Sequence, residues 1–307
     1  MYLYLTADQI GVPSGGGRVT REESEALRSL GPCVVWGREE LQGLEGTDPW
    51  CWDSWAASRA YSQWKSRGYF GNDPESGNWK LAHVYAGTFT ETVGCLKRLG
   101  CKVVYTAAAH DVAVSRQAHE ELGLSYAYPH LTDPDLWQRY VQGYLEADVL
   151  VCPSHHSAQV MRNFGAKNRI EVIPHGCDVP EQVPFFPRMF RVGYLGSYGP
   201  DKGVIDLLRA WGQLHYRDAI LVLAGRDSTS AYVQQMVREQ AQSGVVQLLG
   251  WVEDVTGFYD SISLYCQPSR TEGYGIEVLE SQAHARPVIC STGAGAADLV
   301  PAEWTYP

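Results

Sequence analysis

The chain has 307 residues, 45% of them hydrophobic and 20% charged, enough for two buried cores and closer to two domains than to one. Its 25 Lys and Arg stand against 35 Asp and Glu, a net charge of -10, and neither half is basic. That balance speaks against nucleic-acid binding, which draws on many cations, and against a polybasic membrane anchor.

The N-terminus, Met1-Tyr2-Leu3-Tyr4-Leu5, has no basic region and soon meets Asp8, so it reads as a first strand and not as a signal peptide. No apolar run reaches the roughly 18 residues of a membrane-spanning helix, and a cytoplasmic protein is expected. Further strand-like runs follow at 33–36, 81–86, 102–106, 148–152 and 169–173. Helical patterns lie between them at 19–30, 88–99 and 155–164. The region 37–80 fits worst: it carries Trp50, Trp52, Trp55, Trp64 and Trp79 without a clear period, with 53–66 as a candidate helix. Asp133 reads as the N-cap of a helix over 135–145. Pro174, Pro180, Pro184 and Pro187 crowd a stretch that no sheet could use, which predicts a linker at 174–189. Beyond it, strands are expected at 189–195, 219–224, 245–250, 262–267 and 287–290, and helices at 201–214, 230–242 and 275–285. Most of the strand runs are continuously apolar, as parallel strands covered on both faces are. The expected fold is α/β, with a domain at 1–173 and another at 190–307. The eight cysteines include no CxxC pair, and several sit in apolar runs such as Val149-Leu150-Val151-Cys152. They are expected as small buried hydrophobes in a reducing compartment, without a zinc site.

The richest segment chemically is Pro268-Ser269-Arg270-Thr271-Glu272-Gly273-Tyr274-Gly275-Ile276-Glu277-Val278-Leu279-Glu280. It follows an apolar strand and opens a helix, where unpaired N–H groups and a partial positive charge favour phosphate. Gly273 and Gly275 permit close approach of a ligand, and Glu272 and Glu280 supply acceptors for hydroxyl groups. From the residues alone, a capped structural helix with Glu in its first turn explains the segment equally well.

The pattern resembles the E-x7-E signature of retaining GT-B glycosyltransferases, closest to the group 1 class, also called family 4. Other matches follow in order: Val172-Ile173-Pro174-His175-Gly176-Cys177-Asp178 is similar to V-I-P-N-G-x-D, and Gly196-Ser197 with Asp201-Lys202-Gly203 to G-R-x-x-x-x-K-G. Leu221-Val222-Leu223-Ala224-Gly225 resembles the next strand and its glycine turn, and Ala283-His284-Ala285-Arg286-Pro287-Val288 resembles A-x-G-x-P-V. The resemblance covers about residues 100 to 300 and implies two Rossmann-like domains whose parallel sheets face each other across a cleft. It also implies a nucleoside-diphosphate sugar (UDP-, GDP- or ADP-linked) as donor substrate, a carbohydrate, lipid or small-molecule acceptor, retention of anomeric configuration, and no metal or other cofactor. By the same resemblance Glu272 binds the donor sugar, Glu280 the ribose, and Lys202 neutralises the leaving diphosphate. The backbone at Gly273, Tyr274, Gly275 and Ile276 faces the phosphates, Gly196 and Ser197 belong to the donor loop, and Gly15-Gly16-Gly17 forms the N-terminal glycine loop. His110 corresponds to the active-site His near the transferred sugar.

Three departures qualify the match. Ser197 stands where the family has Arg, with Arg226 and Arg270 as candidate replacements; His175 replaces Asn; and the resemblance implies further helices beyond Tyr306-Pro307. Two other motifs lead elsewhere. Asp133-Pro134-Asp135 is formally a D-x-D metal motif, but it does not end an apolar strand. Gly193, Gly196 and Gly199 could suggest a dinucleotide fingerprint, which leaves Glu272 and Glu280 unaccounted for. A sugar-phosphate enzyme such as an epimerase or phosphorylase, or an inactive sugar-nucleotide-binding protein, is the alternative function.

Overall fold

The computed structural model of the chain describes residues 1–6, 15–37, 56–60, 62, 79–85, 89–109, 111–124, 134–183, 185–214, 218–226, 228–229, 231–240 and 245–307. These residues form two compact units. One holds 1–109 and 127–173, the other 110–126 and 174–307.

The first unit is built on strands β1 (Tyr2–Thr6), β2 (Cys33–Trp36), β3 (Leu81–Tyr85), β4 (Lys102–Thr106), β5 (Val149–Cys152) and β6 (Arg169–Val172). They form one six-stranded sheet in the order β2-β1-β3-β4-β5-β6, with every pairing parallel. Both faces are covered, which is why the runs are apolar throughout rather than alternating. Leu3, Leu5, Val84, Val103, Tyr105 and Leu150 point into one core, and Val93 and Leu96 of helix α2 (Thr90–Arg98) close over it. Tyr4 and Tyr85 face the other way, onto Val19 and Leu27 of helix α1 (Gly15–Leu30). The order reverses between β1 and β3, a topological switch point.

The second unit carries β7 (Phe190–Leu195), β8 (Ala219–Ala224), β9 (Val245–Gly250), β10 (Leu264–Gln267), β11 (Val288–Ser291) and β12 (Thr305–Tyr306). All pairs are again parallel, in the order β12-β11-β10-β7-β8-β9. This is the Rossmann order, with its switch point between β7 and β10. Leu221 and Leu223 of β8 enter the core beneath Leu208 and Trp211, while Val222 and Ala224, one residue out of phase, enter the core shared with Tyr259, Tyr265 and Val278.

The eleven expected strands are all present, and the α/β reading with two parallel Rossmann-like sheets holds. The differences have local causes. Helix α1 starts at Gly15, not near 19, so the three glycines form its first turn. The expected helix over 201–214 is split: a 3-10 turn at Pro200–Lys202 ends at Gly203, and helix α6 (Val204–Leu214) begins after it. Gly203 has φ of +66°, and a Cβ there would lie 1.9 Å from the Pro268 carbonyl oxygen, so only glycine lets the turn pass under the strand end. The last expected helix is shorter, Ile276–Ala283.

Helix α3 (Val112–Glu121) and strand β12 were not expected. Asp111 caps α3 by accepting from the Ala113 and Val114 N–H groups, and the polar composition of the helix hides its buried side, Ser115, Ala118 and His119. Helix α4 spans Pro134–Glu146; Asp133 and most of 37–80, including Trp50, Trp52, Trp55 and Trp64, lie outside the described residues. Trp79 is buried against Trp36 with ring centroids 5.4 Å apart, so it is a core residue. Cys95, Cys101, Cys152, Cys266 and Cys290 are buried, as small hydrophobes are expected to be.

Candidate active site at the sheet reversal of the second unit

In an open parallel sheet, the loops leaving two strands on either side of the switch point diverge and open a crevice at the carboxyl ends. The second unit places Lys202 just after β7 and Glu272 just after β10, the two strands that flank its reversal. The Lys202 ammonium donates to a Glu272 carboxylate oxygen, and both side chains are about three-quarters buried, 23% and 24% exposed. Burial alone would lower the lysine pKa; the Glu272 carboxylate, joined by Asp201 and Glu277, more than reverses this and holds it above the ordinary value. Lys202 is therefore a fixed cation at neutral pH.

The loop from Glu272 to Gly275 is fastened by backbone bonds to the loop after β11. Glu272 N–H donates to the Gly293 carbonyl at 3.0 Å, Gly295 N–H to the Glu272 carbonyl at 3.0 Å, and Ala296 N–H to the Tyr274 carbonyl at 2.7 Å. Gly275 then turns with φ of +89° as the N-cap of helix α9 (Ile276–Ala283). It contributes no capping side chain, and the Val278 N–H donates to its carbonyl at 3.1 Å; the anion-favouring end of the helix is the backbone ahead of Val278. The Tyr274 ring packs inward against His175, and its hydroxyl donates to the His175 carbonyl at 3.2 Å. Burial lowers the His175 pKa to about 4, so this histidine stays neutral.

The carboxylates of α9 lie in different settings. Glu280 is 6% exposed and accepts from the Tyr259 hydroxyl at 2.8 Å, which fixes its carboxylate. Glu277 is partly buried, and burial followed by the Glu272 charge pushes its pKa up to about 7. On the opposite wall, Tyr265 donates to the Leu195 carbonyl at 3.1 Å, and Tyr194 donates to the Ser197 carbonyl. The loop at Gly196 is thus held from below, and the Ser197 side chain is exposed. Gly225 hugs this loop: a Cβ there would meet the Gly196 carbonyl at 1.9 Å.

The structure therefore brings together Lys202, Glu272 and the 273–276 backbone, while Glu280, further along α9, is bound to Tyr259. It does not bring Arg270 or Arg226 into that group through any described contact. Arg270 donates to Asp206 of α6 at 2.8 Å and also pairs with Glu121 of α3, joining these two helices within the second unit. Arg226 is exposed and lies 5.6 Å above the Trp251 ring, beyond the ends of β8 and β9. His110 lies outside the described residues; its neighbour Asp111 donates its N–H to Thr271 Oγ1 at 2.7 Å. Gly15, Gly16 and Gly17 form the first turn of α1, the helix that follows β1 at the reversal of the first unit.

Residues 189–305 match the family model "Glycosyl transferases group 1" and residues 75–181 the model "Glycosyltransferase Family 4". These are glycosyltransferase domains on the GT-B fold. Both models describe domains of transferase enzymes. A D-inositol 3-phosphate glycosyltransferase of Rhodococcus opacus is 27% identical over 246 residues, covering 72% of this chain and 54% of that protein. The curated relatives are matched over 30 to 54% of their own length. The sucrose-phosphate synthase of Thermosynechococcus elongatus has the same fold, with a TM-score of 0.70 at 15% identity over 97% of this chain and 82% of that one. Anabaena HepE in complex with UDP-glucose gives a TM-score of 0.64 at 17% identity over 97% and 83%.

Within the group 1 glycosyltransferase domain, the sequence reading missed Glu277, Tyr259, Tyr194 and Tyr265. Glu277 carried a signal, a charge inside the apolar stretch Ile276-Glu277-Val278-Leu279. The tyrosines carried none, because a tyrosine in an apolar strand or helix looks like core until its hydroxyl partner is seen.

Proposed function

We propose that the chain transfers a hexosyl unit from a nucleoside-diphosphate sugar to a hydroxyl of a carbohydrate, lipid or small-molecule acceptor, with retention of configuration and without a metal. The observation that carries this reading is the Lys202–Glu272 pair at the switch point of a domain matching the group 1 glycosyltransferase model. The diphosphate takes the Lys202 ammonium and the first-turn N–H groups of α9, and Glu272 turns its acceptors to the sugar hydroxyls. Breaking the anomeric C–O bond leaves negative charge on the diphosphate, which a fixed ammonium and N–H groups stabilise better than reorganising water does. Glu280, held by Tyr259, takes the ribose. His110 and the glycines at 15–17 act from the acceptor side, 1–173, with 174–189 as the connector to the donor domain. HepE, a protein of the same fold, is described in complex with UDP-glucose, which agrees with this class of donor. The composition supports a cytoplasmic protein that does not engage nucleic acid.

The test is a thermal-shift screen against UDP-, GDP- and ADP-sugars, followed by NMR of the anomeric product in the presence of EDTA. A donor at 100 times its Kd adds about 2.7 kcal/mol of stability. A donor that binds and yields an inverted linkage, or product formation abolished by EDTA, overturns the corresponding part of the reading. Ser197 favours a second reading, a sugar-nucleotide-binding protein without turnover, because the cation the family places there is missing and Arg270 is committed to Asp206 and Glu121. Tight donor binding with no product across an acceptor panel would support it.

A further inference from the structure

Buried polar side chains gather where β10 and β11 end. Gln267, the last residue of β10, is 3% exposed, and Tyr265, Ser269 and Ser291 are as fully enclosed. The Gln267 carboxamide oxygen lies 3.0 Å from the Tyr265 hydroxyl, and its nitrogen lies 3.0 Å from the Ser269 hydroxyl. Each of these neighbours holds a different loop. The Tyr265 hydroxyl also reaches the Leu195 carbonyl at 3.1 Å, where the chain leaves β7 for Gly196 and Ser197. The Ser269 carbonyl accepts from the Ser291 hydroxyl, whose oxygen accepts from the Gly293 N–H at 3.0 Å. The Gly293 carbonyl in turn accepts from the Glu272 N–H. Gly275, the N-cap of α9, packs on the same carboxamide: a Cβ there would lie 3.5 Å from the Gln267 nitrogen and 3.5 Å from Glu272 Cγ. One carboxamide thus stands at the junction of the loops that leave β7, β10 and β11.

Such a network is a modest source of stability. Its hydrogen bonds replace bonds to water, and apolar groups of the same shape can fill the space at nearly the same free energy. What it supplies is a single arrangement, because each buried member must satisfy the next. We propose that Gln267 is a positioning residue for the donor diphosphate. Through Tyr265 it places the backbone at Gly196 and Ser197, and through Ser269 and Gly275 it places the backbone from Glu272 to Ile276. The inference rests on the sugar-nucleotide reading of the site. Gln267 is enclosed and acts only through these neighbours, by holding the two loops at the separation the diphosphate bridges. An error of about 1 Å in a placement of this kind costs up to about 10²-fold.

The experiment is isothermal titration calorimetry of the full chain with UDP-glucose, GDP-mannose and ADP-glucose, each beside its free nucleoside diphosphate. The variant is Gln267→Met, which keeps the length and approximate volume of the side chain and removes the amide. Thermal melts of the same samples report the fold. Gln267→Met should melt within a few degrees of the wild type. It should bind the preferred sugar nucleotide and the matching free diphosphate about 10- to 100-fold more weakly, because the diphosphate is common to both. Tyr265→Phe should weaken both ligands in the same way. The double variant should be no worse than the weaker single one, since both changes open one bridge. Tyr265→Phe alone carries the test if Gln267→Met does not fold.

Affinities within about threefold of the wild type in the folded variants overturn the proposal and leave the donor reading standing. Loss confined to the sugar nucleotide, with the free diphosphate bound as before, assigns the effect to the sugar and also overturns it. So do strictly additive losses, which separate Gln267 from Tyr265. Failure of the wild type to bind any of these nucleotides overturns the function reading itself and the inference with it.

Discussion

The two sheets reverse their strand order once each, and the reversals are furnished differently. In the second unit the reversal carries an ion pair, Lys202 with Glu272, contributed by the loops that leave β7 and β10. In the first unit the reversal is spanned by a polar hydrogen-bond network from four elements. Glu23 of α1 accepts from Tyr4 at 2.9 Å and from Thr106 at 2.7 Å, and His83 Nε2 lies 2.7 Å from Thr106 Oγ1. Because the Thr106 hydroxyl donates to Glu23, it must accept from His83, which fixes the Nε2–H tautomer. Burial holds the His83 pKa down, against the opposing pull of Glu23. One topology thus supports two uses of buried charge. In the second unit an ion pair joins the loops after the two flanking strands; in the first a single carboxylate fastens a helix to its sheet.

The sharpest way to break that comparison is to remove the cation. Lys202→Ala should lower the transfer rate by about 10²–10³-fold, the usual effect of losing one preorganised group that stabilises developing charge. A folded variant losing less than about threefold would take Lys202 out of the chemistry. The matching change in the first unit is Glu23→Ala. It leaves two buried hydroxyls without their charged acceptor, so stability should fall by about 1.5–3 kcal/mol, with the donor affinity of the folded protein unchanged. Chemical denaturation and donor titration of the same variant separate the two effects. A clear loss of donor affinity would show that the network serves the ligand as well.

The pH dependence of stability distinguishes the groups further. Unfolded, Glu277 releases its proton near 4.5; in the folded chain burial and Glu272 raise this to about 7. Between those values the native state binds more protons, so stability falls as pH rises. His175 acts in the opposite sense, since burial takes its pKa from 6.5 to about 4 and the unfolded state binds more protons in between. Its contribution is lost as pH falls through that window, and His83 has the same sign. Between 4.5 and 6.5 the Glu277 and His175 slopes oppose each other. Glu277→Gln should therefore steepen the acid-side loss of stability, and His175→Gln should flatten it. Denaturation midpoints that move the same way in both variants would reject this assignment.

The contrast between the units also explains what could be read from the sequence. Strands were legible because both faces of each sheet are covered and the apolar runs are unbroken, as in Ala219–Ala224. Lys202 and Glu272 were legible because a turn that demands glycine, Gly203, and a helix start mark their places in the chain. Glu23 was not: it sits in the middle of α1, 83 residues from the Thr106 that binds it, and at its own position looks like one more solvated glutamate. Arg270 shows the opposite failure. It lies inside the motif and looks available to a phosphate, yet Asp206 and Glu121 from two separate helices claim it. Local pattern marks where a ligand-facing group must stand, whereas partners drawn from distant elements decide whether it is available.

The smallest expected effect tests whether a departure from the family pattern is structural or chemical. Ala285 occupies the position where the pattern A-x-G-x-P-V has glycine, in the turn between α9 and β11. Its φ is +52°, the left-handed region that costs an L-residue about 1 kcal/mol. The side chain is exposed, so Ala285→Gly gives up no packing. Relief of the backbone strain is offset in part by the greater freedom of glycine in the unfolded chain. The net gain should be a few tenths of a kcal/mol to about 1, or roughly 2–4 °C in Tm at the upper end. Donor affinity should not move, because the turn touches neither Lys202 nor the mouth of α9. The complementary substitution, Ser197→Arg, should behave in reverse: little change in Tm, but tighter donor binding at low salt, since it restores a cation at the exposed rim of the same crevice. If Ala285→Gly changes donor binding instead, the turn after α9 is coupled to the helix mouth, and the second unit is less cleanly divided between scaffold and site than the first.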